Sequence, residues 1–117
     1  MSDLVWGGDM GLVLGLGPVD RQDAQAPLPE SVEAQIQRIV TNLDDILATS
    51  GLARSNVLGL TVHLTQFERF ETRMRRSLDA CWDTSAALSV VGVTQLPRHA
   101  LVQVDVMVTR QLRAEGG

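Results

Sequence analysis

The 117-residue chain contains no lysine and no tyrosine, and each absence removes a chemistry. Without a lysine amine no Schiff base can form with a carbonyl substrate. Without a phenol, tyrosine cannot serve as an acid or oxyanion donor. All ten cations are arginines, set against fourteen carboxylates, so the net charge is −4 and the pI is near 5.0. That balance argues against a nucleic-acid partner, which needs a basic face to displace counterions. A single cysteine, Cys81, excludes an internal disulfide and fits a reducing compartment. Apolar runs are broken by glycine or charge well short of the roughly 20 residues a membrane span requires. No basic segment precedes an apolar run at the N-terminus, so no secretory signal is expected. A cytoplasmic protein without a membrane partner is the expectation.

What is present can fold. With 44% hydrophobic and 21% charged residues, the chain can bury a core, and its length predicts one domain over residues 1–117. Two short strands, about Leu4–Trp6 and Leu12–Leu16, turn at Gly7-Gly8-Asp9. A polar connector runs to Pro27 and Pro29, which halt any ladder. From Val32 the period changes: Val32, Ile36, Ile39, Val40, Leu43, Ile46 and Leu47 form one helical stripe. Ser31 is placed to cap that helix and Gly51 to end it.

Val57 to Thr65 alternates, with Leu58, Leu60, Val62 and Leu64 on one side and Gly59, Thr61 and His63 on the other. Thr65-Gln66-Phe67-Glu68 has the form of a capping box. It opens a second helix whose apolar face is Phe67, Phe70, Met74, Leu78 and Cys81/Trp82. Ala86 to Val93 is apolar on both faces apart from Ser89, and Leu101 to Thr109 alternates again. In that last strand Val102, Val104, Val106 and Val108 belong against the helices. Leu101, Gln103, Asp105 and Met107 face away. Two helices cover one side of such a sheet. The other, with Leu88, Leu101 and Met107 among polar groups, predicts a partner, most simply another copy of the chain.

The order strand–strand–helix–strand–helix–strand–strand, with SVEAQIQRIVTNLDDILATSGL, VLGLTVHLTQFERFE and GVTQLPRHALVQVDVMV, resembles the RidA/YjgF family. Gln35 near the start of the first helix and Leu96-Pro97 followed by Arg98 carry much of the likeness, which spans about Gly8 to Thr109. The resemblance implies an α+β, chorismate-mutase-like fold: a mixed β-sheet with two helices packed on one face. It further implies a homotrimer whose ligand clefts lie between subunits. Family deaminases hydrolyse reactive enamines and imines, gripping the substrate carboxylate with an arginine and using an acid-held water.

Here the motif departs. Counting back from Leu96 to the place of that arginine lands on Leu88, in Ala86-Ala87-Leu88-Ser89. The first glutamate of the family's last strand falls on Gln103, with Asp105 in place of the second. The Ser-Gly-Gln of the second strand reads Leu14-Gly15-Leu16, and an asparagine of the second helix matches Met74. A cleft so altered is apolar and uncharged where a carboxylate docks, and burying an unpaired carboxylate costs several kcal/mol.

The candidate catalytic groups are therefore His63, Gln103 and Asp105. Leu14, Met74, Leu88, Ser89 and His99 are the candidate ligand contacts. Each has a plainer reading: His63 as a packed histidine, His99 as a surface-loop residue, Asp105 as an interface group. Histidine's titration near neutral pH makes His63 the natural acid–base candidate. Cys81 reads as buried and inert, and His63, His99 and Cys81 lack the paired spacing of a zinc site, so no metal and no cofactor are expected. Gly15-Leu16-Gly17-Pro18 is a turn rather than a nucleotide loop, since no helix follows it.

Two main functions stay open. One is a divergent enzyme of cytoplasmic biosynthesis acting on a small uncharged or aromatic reactive metabolite, by hydrolysis, dehydration, tautomerisation or cyclisation. The other is a non-catalytic ligand-binding or assembly trimer. A residual enamine/imine deaminase is a further alternative.

Overall fold

In the computed structural model, which describes residues 4–83 and 85–111, the helical stripe forms α1, Val32–Thr49. Ser31 caps it, its hydroxyl accepting from Ala34 N at 3.0 Å. Gly51, at φ +71°, ends it. There Leu52 N donates to Leu47 O and Gly51 N to Ala48 O, the paired bonds of a left-handed C-terminal stop. All seven stripe residues are buried.

Among the described residues five strands make one sheet. They are β1 (Val5–Gly7), β2 (Met10–Leu16), β3 (Val57–Thr65), β4 (Ala87–Val93) and β5 (Val102–Thr109), ordered β1-β2-β5-β3-β4. β3 and β4 are parallel and every other pair is antiparallel. A parallel neighbour requires a crossover, supplied by α2, Phe67–Cys81. The expected α+β arrangement stands: a mixed sheet with both helices on one face. Val102, Val104, Val106 and Val108 meet α1 and α2 in the core, with Val13, Leu16, Leu60, Val62 and Leu64.

Several local expectations fail, each for a physical reason. The capping box does not form: Gln66, at φ +47°, precedes α2 without a side-chain cap. Thr65 Oγ1 instead donates to Leu101 O, tying β3 to the start of β5. Leu58 is not in the core row. The register slips between Val57 and Gly59 opposite Val108 and Met107, and such a bulge reverses the facing of what precedes it. Val57 is buried in its place. β4, apolar on both faces, is an edge strand with Leu88 and Val91 left exposed. Arg73 of α2 grips Glu33 of α1 through two 2.8 Å bonds. That fork holds the Glu33 carboxyl at about 2. Arg75 and Glu71 form an i,i+4 pair within α2.

No helix among the described residues is long and apolar enough to cross a membrane.

Candidate functional site

The face of the sheet turned away from the helices carries the site. A second bulge shapes it: β2 follows β5 until Val13↔Val106, then resumes at Leu16↔Val104 with one residue extra. Gly15 sits in that bulge at φ +71°, a conformation glycine adopts without cost. Its N–H is taken by Asp105 Oδ1 at 2.8 Å. The other carboxylate oxygen, Oδ2, lies 3.0 Å from His63 Nε2. His63 and Asp105 are thus one unit spanning β3 and β5, with a half-buried bond to the backbone as its anchor.

Beside this unit opens a cavity of about 480 Å³. Gly59 and Thr61 contribute from β3, and Ala87, Leu88 and Ser89 from β4. Leu12, Leu14, Leu58 and Met107 add apolar walls. Asp105 also lines it, and among the lining residues it alone carries a charge. Among the described residues no arginine borders this space. Gly59 matters because its missing side chain leaves the backbone bare; a Cβ there would lie 3.5 Å from Ala87 O. The sequence flagged Gly59, Thr61 and Met107 as facing this way but not as lining, and Leu58 reaches the cavity only because of its bulge.

The candidate residues divide by position. Leu14, Leu88, Ser89 and Asp105 line the cavity. His63 is joined to it through Asp105. Gln103 pairs with His63 in register, one step further along β5, and its amide lies against Gly15.

Met74 is a correction: it is fully buried in the core on the helix side, where α2 packs on the sheet, and does not face the cavity. A residue on the buried stripe of a two-layer domain belongs to packing. His99 is also apart from the cavity, in the exposed turn Pro97–His99, at φ +57°. The Arg98 guanidinium steadies that turn by donating to Ala24 O and Ala26 O. Leu88, expected on the same face as Met107, is in register with Leu60, on the helix side of the edge strand. Ala87 and Ser89 take the outward positions beside Gly59 and Thr61. Leu88 still borders the cavity because β4 is the sheet edge.

Other reactive groups are occupied. The Cys81 thiol donates to Ser77 O at 3.2 Å, and burial pushes its pKa up, away from the reactive thiolate. Arg54 is bound to Asp44 by two bonds, with the Trp82 ring 4.9 Å from its carbon centre. Among the described residues no cluster of three His, Cys, Asp or Glu could hold a metal ion.

Comparison with known proteins places this arrangement. The chain matches the family described as Endoribonuclease L-PSP over residues 2–110. It is 31% identical over 85 residues to a RutC family protein of Aquifex aeolicus (strain VF5), covering 71% of this chain and 68% of that protein. The crystal structure of a Thermotoga maritima MSB8 protein superposes with a TM-score of 0.83 at 26% identity, covering 95% of this chain and 87% of the other. The YjgF gene product of E. coli shares the fold, with a TM-score of 0.79 at 23% identity over 93% of this chain and 87% of its own.

Proposed function

This chain belongs to the RidA/YjgF family, and we propose that it is a divergent member that binds a small uncharged or aromatic metabolite. In this reading three copies assemble through their outward sheet faces, and the cavity beside Asp105 is one wall of a cleft between subunits. The observation that carries the reading is the cavity's lining among the described residues: leucines and a methionine, one carboxylate, and no guanidinium. A carboxylate ligand there meets Asp105 without a cation to offset the repulsion, which low-dielectric surroundings magnify. A neutral ring instead buries its faces against Leu12, Leu14, Leu58 and Met107, while Ser89 and Thr61 supply hydroxyls for its polar edge. The reaction class is hydrolysis, dehydration, tautomerisation or cyclisation of a reactive intermediate, which orientation and one proton-transfer group can accelerate.

A non-catalytic binding protein is the second reading. Its support is that both oxygens of Asp105 already serve contacts within the chain.

Benzamide and benzoate, close in shape and different in charge, test the binding claim by calorimetry. Benzamide is expected to bind at least tenfold tighter. Tighter benzoate binding, or turnover of 2-iminopropanoate supplied by an amino-acid dehydratase at the rate of a true deaminase, overturns the proposal.

A further inference from the structure

Resting on the reading of the cleft as a site for neutral metabolites, we propose that His63 is its proton-transfer residue and that Asp105 positions the ring. Three observations meet here. The bulge in β2 releases the Gly15 N–H from the ladder, and Asp105 Oδ1 takes it at 2.8 Å, which fixes the carboxylate. Oδ2, left facing β3, lies 3.0 Å from His63 Nε2. A carboxylate accepts only, so the ring nitrogen facing it carries the proton and the lone pair of the neutral ring resides on Nδ1. The imidazole is about a quarter exposed, and among the described residues Nδ1 has no bonded partner.

The placement suits transfer to or from a ligand. The cavity floor runs along β3 over Gly59 and Thr61. His63 is the next residue of that strand on the same face, roughly 7 Å on. Its register neighbours are Val91 on β4 and Gln103 on β5, so Asp105 is the charged group that faces it from the surrounding strands. In the step, Nδ1 accepts a proton from a ligand C–H or O–H and the bonding pair stays with the ligand. Asp105 stabilises the resulting imidazolium through the Nε2 hydrogen bond. The same proton returns to another ligand atom in a tautomerisation, so no oxidant or reductant enters.

The carboxylate's two oxygens are both needed. An asparagine has one acceptor for two N–H donors. If its oxygen stays on Gly15, its amide donates to His63 Nε2 and drives the ring proton to Nδ1, the nitrogen that must be free.

The test uses the full-length protein and 5-nitrobenzisoxazole, a neutral planar probe. A base removes its C3 proton, the C–H pair forms the nitrile, and the N–O bond breaks to a coloured phenolate. The wild-type rate is expected to exceed that of free imidazole at equal concentration. His63→Phe, which keeps a ring of similar size, and Asp105→Asn are each expected to lose about a hundredfold. The ¹⁵N spectrum of the unliganded wild-type protein is expected to show the Nε2–H form of His63, and that of Asp105→Asn the Nδ1–H form. A wild-type Nδ1–H ring overturns the proposal, as do variants that keep the wild-type rate. Probe binding seen in the methyl shifts of Leu14 and Met107 without turnover overturns it too, and leaves the cleft reading standing. Absence of probe binding sinks the cleft reading instead, and the ¹⁵N spectra then decide the dyad alone.

Discussion

On its helix side the sheet holds Val102, Val104, Val106 and Val108 at no more than 3% exposure, whereas on the other Leu14 is 61% and Met107 43% exposed. Both faces are built from the same strands and largely from aliphatic residues. The first is completed by the chain's own helices and contains no ion pair among its core residues. The second carries a histidine, an aspartate and two bulge-shaped edges of one cavity. The comparison teaches where this fold tolerates chemistry. A face closed by the chain itself selects for volume, whereas an incompletely covered face can keep polar groups at less cost because water or a partner satisfies them.

The largest expected difference between the faces is in folding stability. Leu43→Ala, deep in the helix layer, is expected to lose about 2–5 kcal/mol in urea unfolding at every protein concentration. Leu14→Ser is expected to change the folding of one subunit by less than about 0.5 kcal/mol. If the outward faces assemble as proposed, its effect is expected in sedimentation, as a shift to smaller species. Equal losses from the two substitutions would erase the contrast between the faces.

A smaller effect separates the bulge from the regular strands. Gly15→Ala places a Cβ in the left-handed region, 3.2 Å from the Gln103 amide. It is expected to cost about 1–2 kcal/mol and to disturb the ¹⁵N signals of His63. An unchanged His63 spectrum would separate the bulge from the dyad.

The smallest effect lies on the outer surface of the helix layer. Glu33 is held at about 2 by the Arg73 fork, below its ordinary 4.5. A depressed carboxylate stabilises the fold fully above its unfolded pKa, and this is lost as pH falls through the folded one. The pair is exposed, so its contribution is small. The stability difference between wild type and Glu33→Gln is expected to be modest at neutral pH and to shrink between about pH 4.5 and pH 2. A difference that grows on acidification would contradict this.

The legible parts of the sequence were those with a long period. Seven residues of α1 and four valines of β5 repeat often enough that one misplaced residue cannot hide the pattern. Ser31 and Gly51 were legible for a local reason, since a cap needs only its own turn. Thr65 was misread because its hydroxyl had a competing acceptor, Leu101 O, supplied by a distant part of the chain. Leu58 was misread because a single bulge inverts parity without marking the sequence. Met74 matched a polar position by alignment yet fell on the apolar stripe, and there packing prevails. Of the candidate residues, Leu14, Leu88, Ser89 and Asp105 border the cavity, and the sequence offers His63 and Asp105 only as separate candidates. Their union was not visible, because it spans 42 positions and depends on register.

The sequence by itself determined the two amphipathic helices, the valine face that they cover, and the absence of a guanidinium at Leu88, because each depends on residue type and spacing alone. Tertiary structure decided that Asp105 faces both Gly15 and His63, that Leu58 turns to the cavity, and that Leu88 stands at a sheet edge. Those outcomes depend on which strands pair and where the ladder slips by one residue, and hydrogen-bond register between distant segments leaves no trace in either segment's local pattern.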